Sequence, residues 1–362
     1  MKNIRISIAA ITMMLISFGI IMVYSSSGVY ALKYFQDASY FLNRHLFFLF
    51  VGSVLSLFIL AVDYHRLRNF AKPLMICTIV MLVLVLVPGI GRASFGARRW
   101  FKFGPVNFQP SEFAKITLTI YLSDFLARKK GRIISFWNGF LPAILVVGLV
   151  CLLVVKQPDL GNSLLLGSIA MILLFVSGAR IRHISTLILM ALPVLYFLVV
   201  RVPYRMRRIT AFIDPWQDSQ GAGFQLSQSQ IALGSGGIFG VGLGRSVQKM
   251  FYLPAAHTDF ILSIIGEELG LVGTLVVVLL FIALILQGAR IIKRTRDPFG
   301  YYLACGIIAM IGLQALVNIG VSIGALPTKG LPLPFISYGG SALVFNMMAI
   351  ALLLNISRME DT

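Results

Sequence analysis

Long apolar stretches, broken at short intervals by charged or glycine-rich turns, set the pattern of the chain. A helix rising 1.5 Å per residue needs about 20 apolar residues to cross a hydrocarbon core. On that rule ten spans are expected, near residues 4–24, 44–62, 73–88, 112–128, 138–156, 160–178, 184–201, 258–289, 300–324 and 341–357, with the weakest pattern in the third and fourth. The first is apolar from Ile6 to Tyr24 and runs into "YSSSGVY" without a clear small-residue cleavage site, so it reads as an uncleaved helix.

Composition fits this pattern. The chain is 58% hydrophobic and 12% charged, with a mean hydropathy of +0.89, far from the balance of a soluble domain. The expected fold is an all-α integral membrane protein, a single polytopic domain over residues 1–362. Its largest extramembrane segment, 202–258, joins spans seven and eight. Cys77, Cys151 and Cys305 lie in apolar runs and read as small core residues, with no metal-ligand spacing or disulfide framework. No zinc signature and no P-loop occurs, and nothing implies a nucleic-acid partner.

Charge sets the orientation. With the N-terminus in the cytoplasm, sixteen of the 31 Lys and Arg fall in short inner segments, as the positive-inside rule asks, and an even number of spans returns the C-terminus to the same side. Fourteen more fall on the outer side, four of them in "GRASFGARRWFKFG" at 91–104, which has no acid. Such cations either bind an anionic ligand or are incidental to translocated loops. In "RVPYRMRRITAFIDPWQD", Arg205 and Arg208 become neighbours if the segment is helical. That pair suits two oxygens of a pyrophosphate, or equally the headgroups of anionic lipids. The following "GFQLSQSQIALGSGGIFGVGLGRS" allows a short helix and then six glycines within 234–244, which permit either flexible turns or close backbone approach.

Acidic residues are scarce, 13 in 362, yet Asp259, Glu267 and Glu268 cluster in "LPAAHTDFILSIIGEELG". Asp259 stands where span eight begins and reads as a helix N-cap or as a reactive carboxylate. Glu267 and Glu268 lie about 12 Å further in, where an ionisable side chain is expensive and usually faces a polar cavity. Glu112 and Lys115 in "QPSEFAKI" fall on one helical face and are expected to pair within the membrane, lining the same cavity. Asp159 in "KQPDLGNS" reads first as an N-cap. Acids at the base and cations at the rim of an outward-facing cavity suit a ligand that is part lipid, part phosphate and part polar headgroup.

At this point the residues resemble a known family, the SEDS proteins (shape, elongation, division and sporulation). The resemblance rests on "QPSEFAKI" (109–116), "KQPDLGNS" (156–163), "YRMRRITAFIDP" (204–215), "GFQLSQSQIALGSGGIFGVGLG" (223–244), "LPAAHTDFILSIIGEELGLVG" (253–273) and "NIGVSIGALPTKGLPLPFISYGGSA" (318–342). Within the family, "YLPAAHTDF" and "ALPTKGLPLPFISYGGS" look more like the division branch than the elongation branch, and sporulation paralogues share that look. Ala342 departs from the family, where a second serine is common.

The resemblance implies ten transmembrane helices with cytoplasmic termini in a bacterial inner membrane. It implies a peptidoglycan glycosyltransferase that polymerises lipid II, with inversion, on the outer face during septal wall synthesis. It makes Asp259 the catalytic residue, and the substrate-binding candidates beside it are Glu112, Lys115, Lys156, Asp159, Arg205, Arg208, Gln228, His257, Glu267 and Ser337. It leaves room for a divalent cation, magnesium or manganese, beside the leaving pyrophosphate. The implied partners are a class B penicillin-binding transpeptidase and other divisome membrane proteins. Two other functions compete: a lipid II flippase, and a scaffold that activates a partner.

Overall fold

The protein, seen in a computed structural model, is described over residues 1–94, 97–104 and 106–360. Residues 361 and 362, the end of the expected domain, lie outside this range. Ten long helices take up the ten expected apolar runs. They are α1 (Lys2–Phe35), α2 (Tyr40–Ala61), α3 (His65–Leu84), α4 (Pro110–Arg128), α5 (Leu141–Lys156), α6 (Leu160–Val176), α7 (Ile181–Val200), α10 (Ile261–Arg294), α11 (Pro298–Ser322) and α12 (Gly340–Met359). Among the described residues, eight stretches are long and apolar enough to span a membrane by length and composition; α6 is shorter, and α4 is more polar.

Two shorter helices, α8 (Pro203–Ile213) and α9 (Phe224–Ser235), lie between α7 and α10. Proline at the first position and a residue outside helical conformation before it start α4 and α8, while the Asp297 carboxylate caps α11 by accepting from the Gly300 N–H at 2.8 Å. Helices α4, α11 and α12 are buried along most of their length, whereas no residue of α7 is buried. Both termini lie at one end of the bundle, where the Arg5 guanidinium donates to the Ser357 carbonyl. The connections that matter for chemistry are at the other end.

The segment read as a cationic loop is a small sheet. Strands β1 (Arg92–Ser94), β2 (Ala97–Phe103) and β3 (Val106–Phe108) pair antiparallel in the order β1-β2-β3, with Phe101 opposite Phe108. In β2, "ARRWFKF" alternates with period two, and Ala97 and Phe101 are buried while Lys102 is exposed. Phe108 packs against Phe113 of α4 and Phe345 of α12, which docks the sheet on the bundle.

Helix α10 is broken. Gly270 has φ 66° and ψ −162°, far from helical values, and the helix resumes beyond it. A break at membrane depth frees backbone groups that must be satisfied by protein. The glycine-rich loop does this. The Val241 and Gly242 N–H groups donate to the Glu267 and Glu268 carbonyls at 3.0 Å each, and Leu271 and Val272 donate back to Gly237 and Ile238. The loop therefore makes a close backbone approach, to a helix of its own chain. At Gly240, with φ 78°, a Cβ would overlap the Glu268 carbonyl, whereas at Gly237, with φ 54°, it would meet nothing. Gly240→Ala is expected to lose about 1–3 kcal/mol beyond any loss in Gly237→Ala, which carries only the left-handed penalty. Thermal melting in detergent checks the order, and equal losses would mean that the loop does not brace the break.

Candidate active site

Five segments meet at the end of the bundle away from the termini: β2, the start of α6, α8, the turn before α10, and the segment between α11 and α12. Each brings one charged residue into a common field, in order Arg99, Asp159, Arg208, Asp259 and Lys329. Asp259 is half-buried, and its backbone is fixed. The Asn318 amide donates to the Asp259 carbonyl at 2.8 Å and to the Leu331 carbonyl at 2.7 Å, while the Ser337 hydroxyl donates to the Thr258 carbonyl at 2.5 Å. The turn itself is tight. Ala255 adopts a left-handed φ of 57°, and its carbonyl accepts from the N–H groups of Thr258, Asp259 and Phe260. Non-glycine residues held in that region store strain, and such strain gathers at functional sites.

Burial raises the Asp259 carboxyl to about 6; Arg208 opposes the rise, Asp159 adds to it, and Arg99 opposes it. Lys329 is half-buried and its ammonium is lowered from the usual lysine value by burial, with Asp159 acting against that shift and Arg208 with it. The site thus joins a carboxylate poised to take a proton near neutrality to Arg208 and Lys329, which can face a polyanion, and to Arg99, whose Nε and Nη2 donate to the Gln157 and Pro158 carbonyls.

Asp159 caps α6: its Oδ1 accepts from the Asn162 N–H at 3.2 Å, and its Oδ2 from the Asn162 and Gln109 amides at 2.8 and 3.3 Å. Glu112 and Lys115 form the expected buried pair, 2.7 Å apart, and Lys115 Nζ also donates to Gln314 Oε1 at 3.1 Å. Gln314 in turn donates to the Pro332 carbonyl at 2.8 Å, so the pair supports the segment that carries Lys329. His257 packs in an aromatic cluster, its ring centre 4.6 Å from Phe41, 5.7 Å from Tyr30 and 5.9 Å from Tyr338. Burial lowers it to about 4, so it is neutral at pH 7.

Other expected contributors stand elsewhere. Arg205 and Arg208 do lie on one helix but separate: Arg205 donates to the Leu198 carbonyl at 2.8 Å, away from Arg208, which donates to Thr328 at 3.0 Å. A shared grip on one pyrophosphate would need both guanidinium groups turned the same way. Glu267 was expected on the cavity floor, but its carboxylate instead accepts from the Ser246 hydroxyl and from the N–H groups of Val247, at 2.8 Å, and Gln248. Beside it, Glu268 pairs with Lys249 at 2.7 Å and accepts from the Ser25 hydroxyl, tying the loop to α1. These buried carboxylates hold the loop that leads to Asp259. Lys156 ends α5 exposed, and Gln228 is half-buried on α9. Among the described residues, no three of His, Cys, Asp and Glu gather as a metal ion would need.

Sequence reasoning missed Gln314 and Asn318 as positioning residues, and missed Arg99 and Lys329 as members of the site. A signal for the first two exists: they are amides four residues apart in an otherwise apolar span, hence on one face. Arg99 and Lys329 were visible only as outer cations, since their approach to Asp259 is made by the fold.

A multi-pass helical bundle with a charged, strained site at one end is the architecture of a membrane-embedded enzyme or carrier. The cell cycle protein family that takes in FtsW, RodA and SpoVE matches residues 5–362, and the chain belongs to it. It is 47% identical over 346 residues to the "Probable peptidoglycan glycosyltransferase FtsW" of Geobacter metallireducens, covering 95% of this chain and 92% of that protein. It is 45% identical over 348 residues to the "Stage V sporulation protein E" of Bacillus subtilis, covering 96% and 95%. Among solved structures, a chain of a peptidoglycan synthase complex that coordinates polymerization and crosslinking superposes with a TM-score of 0.78 at 29% identity, covering 99% of this chain and 98% of that one.

Proposed function

We infer that the protein is a peptidoglycan glycosyltransferase of the division type, and propose that it extends glycan strands from lipid II at the outer face of a bacterial inner membrane. The observation that carries the chemistry is Asp259, a half-buried carboxylate raised to about 6 among Arg99, Arg208 and Lys329. In the proposed reaction the C4 hydroxyl of an acceptor N-acetylglucosamine attacks the anomeric carbon of the donor N-acetylmuramic acid. Asp259 takes the hydroxyl proton as general base. The bond to undecaprenyl pyrophosphate breaks with inversion, and its electron pair leaves on the pyrophosphate oxygen. Arg208, Lys329 and Arg99 face the charge that grows there.

A divalent cation would be held by Asp259, with Asp159, whose oxygens also accept from Asn162 and Gln109, as the other carboxylate acting on the site. The whole chain acts as one membrane domain with cytoplasmic termini, and segment 202–258 contributes Arg208 and the wall beside it. A crosslinking transpeptidase of the penicillin-binding class is the natural partner within the divisome, because polymerised strands are its substrate. The resemblance of the chain to one from a synthase complex supports this pairing.

Initial rates of glycan synthesis from lipid II test the assignment. Arg208→Ala is expected to lower the rate about tenfold or more, the worth of a charge-assisted contact. Arg205→Ala, which removes a guanidinium that does not act on Asp259 or Lys329, should lose far less. Equal losses would move the pyrophosphate away from Arg208.

A further inference from the structure

Beside the catalytic site, between α8 and the turns that follow it, an open cavity of about 560 Å³ shares Arg208 with the chemistry above and otherwise lies outside it. That volume falls in the range of small-ligand sites. Its walls carry both signs of charge, Arg207 and Arg208 against Asp214 and Asp218, with the amides of Gln217, Gln220 and Gln225 set among apolar surface from Ala211 and Phe224. Asp214 Oδ1 accepts from the Trp216 and Gln217 N–H groups, and Asp218 Oδ2 accepts from the Ala222 N–H at 2.9 Å. The other oxygen of each carboxylate, and the Arg207 guanidinium, have no protein partner among the described residues. The cavity meets the catalytic site at Arg208 and Thr328, and Pro254 stands on the chain just before Asp259.

The lining excludes two parts of a lipid-linked sugar. Asp214 and Asp218 offset Arg207 and Arg208, so the cavity has no net positive charge to hold a pyrophosphate, and an acyl or prenyl tail would leave those charges and the glutamine amides without polar partners. A short peptide with carboxylates, an amine and several peptide groups matches on every count. We propose that this cavity holds the stem peptide carried by the N-acetylmuramic acid of the substrate. Arg207 takes a peptide carboxylate, the glutamine amides bond the peptide groups, and Asp214 and Asp218 face the amine. This rests on the glycosyltransferase reading: the sugar that bears the peptide is the one whose anomeric carbon reacts, and the shared Arg208 and Thr328 join the two sites.

Two synthetic lipid substrates test it with the full-length protein, one with the pentapeptide stem and one without a peptide. Arg207 is exposed, so its replacement leaves the packed bundle untouched. Arg207→Ala is expected to raise KM for the pentapeptide substrate about 10- to 100-fold with kcat nearly unchanged. On the peptide-free substrate the variant should match the wild type, and Arg207→Lys should recover much of the loss on the pentapeptide substrate. An equal loss on both substrates, or no loss on the pentapeptide substrate, overturns the proposal. Polymer from neither substrate with the wild type would instead overturn the glycosyltransferase reading itself.

Discussion

Asp259→Asn is expected to cut glycan synthesis by about 100-fold or more, the loss typical of removing a general base, while the protein melts at a higher temperature than the wild type. The two effects have one cause. Burial raises the folded carboxyl from its usual 3.8 to about 6, so the folded state binds the proton more tightly than the unfolded chain does. The stabilising effect of the neutral form is complete below the unfolded value and is lost as pH rises through the folded one. Above pH 6 the ionised group therefore costs on the order of 3 kcal/mol, less where water reaches the half-buried carboxylate. Asparagine has no charge and escapes that cost. The wild-type rate should accordingly rise with pH through about 6 and level off, and the residual rate of the variant should lack that step. Near wild-type synthesis by Asp259→Asn would return this residue to a purely structural role at the start of α10.

Breaking the Glu112–Lys115 pair is expected to cost about 3–5 kcal/mol for either single variant, because each leaves a buried charge without its partner. Both side chains are almost fully enclosed, at 3% and 2% exposure, so water offers little relief. Glu112→Gln strands the ammonium with only Gln314, and Lys115→Met strands the carboxylate and frees Gln314 as well. The double variant Glu112→Gln/Lys115→Met should be damaged much less than the sum of the singles. Glycan synthesis should fall with stability, since Gln314 also holds Pro332 in the segment bearing Lys329. Denaturation in detergent gives the coupling, and strict additivity would show that the pair is not coupled energetically.

The bundle was legible in the sequence because a membrane span writes itself as an apolar run, and each of the ten expected runs carries a helix. The break in α10 was not, since hydropathy does not register the left-handed backbone of Gly270 and "GEELGLVG" reads as continuous. Glu267 and Glu268 were legible as ionisable side chains deep in an apolar run, and both are buried. Their use was not legible, because their partners Ser246, Val247 and Lys249 reach them only after the chain doubles back. The Glu112–Lys115 contact was legible, being local to one helix. Its third member, Gln314, lies on α11. The sheet was not legible because three cations in the seven residues of "ARRWFKF" interrupt its period-two alternation, which places Phe101 inward.

One measurement bears most directly on the central claim, that Asp259 and its cations polymerise the lipid-linked donor. Purified protein, alone and with the proposed transpeptidase partner, is reconstituted in vesicles with labelled lipid II; products are sized, and label reaching the opposite leaflet is counted. The expected result is a ladder of glycan chains that Asp259→Asn nearly abolishes, with no protein-dependent transfer of label between leaflets. Transfer of label without any polymer, unchanged in Asp259→Asn, would contradict it.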